Sequence, residues 1–67
     1  METVYKKYFE NLDDARAAVA ALNQEFKAKY NCYFCCSVWD AANDNYFENG
    51  RFFRWIVIAD IWPEQTN

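Results

Sequence analysis

Cys32-x-x-Cys35-Cys36 gathers the strongest nucleophiles of this chain, at the spacing of a dithiol redox pair or of half a zinc site. The surroundings argue against both. Residues 32 and 35 of a strand point to opposite faces, a structural zinc takes four Cys or His ligands, and the chain has three Cys and no His. The thiols read as packed side chains, with Cys35 the one expected to stand on an open surface and react. Asp40, Asn43, Asp44 and Asn45 have the composition of a calcium loop but not its alternation of acids followed by Gly and a distant Glu. Solvated loop residues are the expectation there. Ser37 has no His to take its proton, and a carboxylate pair such as Asp40 with Asp60 does acid–base work only inside a cleft, of which the sequence gives no sign. No cofactor, metal or catalytic group is expected, and the chain reads as a non-enzymatic protein.

What remains is a large apolar and aromatic content with little to interrupt it. Of 67 residues, 54% are hydrophobic and 21% aromatic, with one Gly and one Pro. That is too apolar for a disordered chain, and the length makes a single domain, residues 1–67, near the lower limit for folding without staples. The net charge of −3 is uneven: residues 1–30 balance five acids with five bases, whereas residues 31–67 set Asp40, Asp44, Glu48, Asp60 and Glu64 against Arg51 and Arg54 alone. Direct binding to a nucleic-acid backbone, which draws its affinity from Lys and Arg, is not expected. No apolar run approaches the ~20 residues of a membrane span. METVYKKYFE lacks the basic-then-apolar order of a secretory signal, so reduced thiols in the cytoplasm are the expectation.

The elements that must position these residues follow from periodicity. Residues 3–9 (TVYKKYF), β-branched and aromatic with two lysines, suit a strand at a sheet edge, where charge discourages stray pairing. Asn11 can cap a helix whose first turn carries Asp13 and Asp14. Leu12, Ala15, Val19, Leu22, Phe26 and Tyr30 then recur at spacings of three and four, an apolar stripe that must lie on one surface. Asn31 closes the helix, residues 32 to about 41 form a second strand, and Asn49-Gly50 within AANDNYFENG marks a tight hairpin turn. Residues 51–62, RFFRWIVIADIW, form a third strand that Pro63 is expected to stop. The predicted fold is α+β in the order β-α-β-β, one helix packed on a three-stranded antiparallel sheet; a strand order of 1-3-2 would place the third strand centrally and account for part of its apolar excess.

A hairpin closed at Asn49-Gly50 sets Val38 opposite Ile61. It gathers Phe34, Cys36, Val38, Trp55, Val57, Ala59 and Ile61 on the face that the helix stripe covers. The other face holds Tyr33, Cys35, Ser37, Trp39, Ile56, Ile58, Asp60 and Trp62, with Arg54 and Phe52 toward the turn, and one helix cannot cover both. It is expected to stand open, and contiguous apolar surface of this kind marks a protein interface. Trp39, Ile56, Ile58 and Trp62 are the expected anchors. Alternate residues of a strand lie ~7 Å apart, close to the phosphate repeat of one DNA strand, so Asp40, Asp44, Glu48 and Asp60 are expected to address a basic, nucleic-acid-facing surface of the partner protein. Two alternatives use the same face. One is a small ligand such as a nucleotide held between Trp or Tyr rings with Arg51 and Arg54, and the other is closure on a second copy as a homodimer.

In size, acidity and compact α+β build the chain resembles the small phage-encoded inhibitors of bacterial defence, the anti-CRISPR proteins in particular. The resemblance implies a stoichiometric inhibitor, acting in the host cytoplasm, that binds a nuclease or surveillance complex and blocks its nucleic-acid site or its assembly. Such proteins share no common motif, so the resemblance assigns no residue a role.

Overall fold

The computed structural model describes residues 1–66. Asn11 starts α1 (Leu12–Lys29): its Oδ1 accepts from the Asp14 backbone N–H, and its Nδ2 donates to Asp14 Oδ2, both at 2.9 Å. Asp13 and Asp14 in the first turn and Lys27 and Lys29 in the last complement the helix dipole. The helix ends where Tyr30 becomes extended, its N–H still bonded to the Phe26 carbonyl at 2.8 Å. One side of α1 is buried through Ala15, Leu22 and Phe26, with Ala18, Val19 and Tyr30 packed beside them. Among the described residues no helix is long and apolar enough to cross a membrane.

That side lies on an antiparallel sheet of β1 (Glu2–Phe9), β2 (Cys32–Asp40) and β5 (Trp55–Thr66) in the order β1-β5-β2. The α+β fold is as the sequence predicts, and the order places the last strand at the centre of the sheet. β5 is the longest strand, with 12 residues, in a molecule 41 Å long. Phe34, Cys36 and Val38 of β2 and Trp55, Val57, Ala59 and Ile61 of β5 all belong to the core beneath α1, joined by Tyr5 and Phe9 from β1. Phe26 is its hub, edge-on to Tyr30 at 4.9 Å and to Phe34 at 5.8 Å.

The register differs from the expected one. Val38 pairs with Val57, not with Ile61. At the tip, β3 (Phe47–Glu48) and β4 (Arg51–Phe52) do keep the pairing of Glu48 with Arg51. Asn49 and Gly50 between them have φ of 54° and 76°, the two positive values a type I′ turn requires. Between the two ladders one arm has six residues, 41–46, and the other two, 53–54. The excess is even, so the ladder slips without exchanging faces. Residues 51–62 are therefore not one strand, since the chain breaks at Phe53-Arg54. Nor does Pro63 stop β5, which continues to Thr66. Tyr33 pairs with Trp62 and Cys32 with Thr66, which leaves Pro63 in a bulge where its missing N–H disrupts no ladder bond.

Phe26→Ala should lower the unfolding free energy by about 3–5 kcal/mol, a large part of the stability of so small a domain, and Asn11→Ala by about 1 kcal/mol. Urea titrations followed by circular dichroism measure both. A loss for Phe26→Ala no larger than that for Asn11→Ala would mean that the core is not organised around this ring.

Candidate functional site

The sheet face away from α1 is laid out in rows across the strands. Tyr8, Ile56 and Trp39 share one row, Lys6, Ile58 and Ser37 the next, Thr3, Asp60 and Cys35 the third, and Trp62 with Tyr33 the last. Polar members of the face bond to one another. Thr3 Oγ1 donates to Asp60 Oδ1 at 2.6 Å and Trp39 Nε1 to Ser37 Oγ at 2.8 Å. The Tyr33 and Trp62 rings meet at 5.0 Å.

The chain covers one end of this face itself. A short 3-10 helix, Ala42–Asp44, follows β2 at one sheet edge, and the segment reaches β1 at the other. There the Tyr8 hydroxyl donates to Asp44 Oδ2 at 2.9 Å, and the Tyr8 ring stacks on Tyr46 with centroids 4.1 Å apart and planes within 4°. To do so the segment crosses β5 on the side away from α1. Ile56 (6% exposed) and Ala41 are buried there, outside the helix-side core. Asp40 and Arg54 close the base of the loop with two bonds, Nη2 to Oδ2 at 2.9 Å and Nε to Oδ1 at 3.2 Å, and the Ala41 N–H donates to the Arg54 carbonyl at 2.6 Å. The tip rests against the end of β1 through Arg51 Nε on Glu10 Oε1 at 2.8 Å and Phe53 edge-on to Tyr46 at 5.8 Å. Phe47 and Phe52, which alternate with these residues along the ribbon, contact each other at 5.2 Å and are exposed. The expectation that the second face stands wholly uncovered is thereby corrected. Its Ile56 end is closed and its Trp62 end is open.

Of the residues expected to meet a partner, Trp39 is 59% exposed, Ile58, Asp60 and Trp62 are half-buried, and Ile56 forms the floor under the loop. The four acids fall into two kinds. Hydrogen bonds from Arg54 and from the Ala42 backbone hold the Asp40 carboxyl below its usual range, and its charge is matched by the guanidinium. Asp44, Glu48 and Asp60 instead accept from the neutral hydroxyls of Tyr8, Tyr46 (3.2 Å) and Thr3. Phe52 is exposed, as its expected place on the open face requires, whereas Phe47 was not legible as a surface aromatic, although YFENGRFF carries the signal: aromatics flank Asn-Gly on both sides, the pattern of a paired ribbon rather than of a loop.

Arg51 and Arg54, the cations a bound nucleotide would use, are held by Glu10 and Asp40. A groove of about 430 Å³ beside the tip is lined by Lys6, Lys7, Tyr8, Tyr46, Glu48 and Phe53. Among the described residues no buried side-chain polar atom lacks a partner, so none is left aimed into it. Cys32 lies in the core and Cys35 is exposed on the opposite face, as strand alternation requires. Cys36 is on the helix side, where burial first, and then Cys35 and Asp60, push its thiol pKa up. Comparison with known proteins adds no likeness: no family model, no curated protein and no solved structure matches the chain.

The loop closure titrates from both sides. The depressed pKa of Asp40 contributes stability above the ordinary carboxylate range, lost as pH falls through its folded value. Tyr8 and Tyr46, raised above 10.0 chiefly by their bonds to Asp44 and Glu48, contribute stability below 10.0 that is lost as pH rises through theirs. The methyl resonances of Ala41 and Ile56 should therefore move toward exposed values at both extremes before α1 melts; shifts that track global unfolding would separate the loop from these groups. In the native protein, Cys35 should be alkylated well ahead of Cys36, as followed by mass spectrometry, and equal rates would contradict their placement.

Proposed function

We propose that this chain acts by binding, as a stoichiometric inhibitor that docks on a basic, nucleic-acid-facing surface of another protein. A bacterial defence nuclease or surveillance complex is the partner class its resemblance implies. The observation that carries the proposal is the fixing of three carboxylates by neutral hydroxyls: Asp44 by Tyr8, Glu48 by Tyr46 and Asp60 by Thr3. A carboxylate matched with a guanidinium, as Asp40 and Glu10 are, offers a partner little net charge. One held by a hydroxyl keeps its charge and has given up rotamer freedom before docking, which lessens the entropy lost on association. Trp39 and Tyr33 on the sheet and Phe47 and Phe52 on the tip are exposed and supply the aromatic contact that anchors interfaces. Catalysis has no comparable support: the chain has no His, and the Ser37 hydroxyl accepts from Trp39.

The test begins with a partner captured on the immobilised chain and purified. Nucleic acid and this protein should then exclude one another from it. Asp44→Lys, Glu48→Lys and Asp60→Lys should each slow association several-fold and flatten its salt dependence, while Trp39→Ala should act on dissociation. Simultaneous binding of nucleic acid, or association indifferent to these charges and to salt, would overturn the proposal.

A further inference from the structure

The two edges of the sheet are built differently. β1 carries Lys6 and Lys7 and a register break at Val4, devices that keep an edge from pairing with other chains. β2 has neither. From Tyr33 to Asp40 its ladder with β5 is unbroken, it contains no Gly, Pro or Lys, and its one charged residue, Asp40, stands at its end. Among the described residues no strand lies beyond it.

We propose that β2 pairs antiparallel with β2 of a second copy, about a two-fold axis at Cys36, so that two three-stranded sheets become one continuous sheet. The strand is self-complementary about that point. Tyr33 and Trp39, exposed by 48% and 59%, lie three residues to either side of Cys36, so each Tyr33 meets the second copy's Trp39. Phe34 meets Val38 on the helix side and Cys35 meets Ser37 on the other. Asp40 meets Cys32, which keeps the two like charges at opposite ends. Every such pair joins residues of the same face, so both helices lie on one side of the joined sheet. α1 packs chiefly on β2 and β5. The two helices therefore stand side by side over the middle of the joined sheet. The pairing uses backbone groups at the β2 edge and does not depend on the inhibitor role proposed above.

Light scattering on a sizing column across a wide concentration range should give twice the 8.0 kDa of one chain. Hydrogen exchange over the same range should show the alternate β2 amides that face away from β5 gaining protection as the dimer forms. Cys35→Lys, at an exposed position, sets two like charges diagonally across the axis and should return the mass to that of one chain with an unchanged circular dichroism spectrum. If that variant does not fold, amide exchange in the unaltered protein still decides. A single-chain mass at every concentration overturns the proposal. So does a dimer whose outward β2 amides exchange freely, which would be a dimer closed face to face.

Discussion

β5 is paired along both flanks and apolar on both faces, and α1 can lie on only one of them. The rest of the structure answers that imbalance. Beneath α1, Val57, Ala59 and Ala15 are inaccessible and Phe26 nearly so, with a ring of partly buried side chains around them. On the other side Ile56, Ile58 and Trp62 also require cover, and among the described residues there is no second α-helix to give it. It uses the connection between β2 and β5 instead. This segment crosses the sheet at Ile56 and fastens to β1 through Tyr8, at the same end where the tip reaches Glu10.

The two layers are held with unequal strength. Burying a side chain the size of Phe26 is worth several kcal/mol. The loop is held by ion pairs at exposed positions, which solvent screens to little net stability, and by one stacked ring pair at the surface. Asp40–Arg54 and Arg51–Glu10 belong to the exposed kind. The cover over Ile56 is therefore the part of the molecule that opens first, in the way that locally closed segments open below the free energy of global unfolding. Surface exposed by such opening is continuous with Trp39 in the same row and Ile58 in the next.

Residue pattern alone carried the helix-side layer, because each of its signals is local. The stripe from Leu12 to Tyr30, the cap at Asn11 and the period-two alternation of β2 and β5 need no knowledge of distant contacts, and all reappear in the structure. What was illegible is long-range. Nothing in the composition of AANDNY announces that it crosses a sheet, since its order comes from Asp44 and Tyr46 meeting Tyr8, more than thirty residues earlier. The chemistry of the acids was hidden for the same reason. Sequence shows Asp40 and Asp44 as equivalent members of an acidic loop, and only the fold gives one an arginine and the other a phenol. Pro63 misled because a proline rule written for ladder positions does not apply inside a bulge.

Loop length and surface chemistry are linked through parity. With the tip turn fixed at Asn49-Gly50, the number of extra residues in the arm leaving β2 decides which of its side chains face α1. The observed excess is even, so Phe34, Cys36 and Val38 go to the core and Tyr33, Cys35, Ser37 and Trp39 to the opposite face. An odd excess would send Trp39 and Ser37 under the helix and turn Phe34 and Val38 to solvent. Long enough to cross to Tyr8 and even in its excess, the segment 41–46 covers Ile56 and also fixes Trp39 on the face it leaves open. One short connection thereby sets both the cover and the exposed surface beside it.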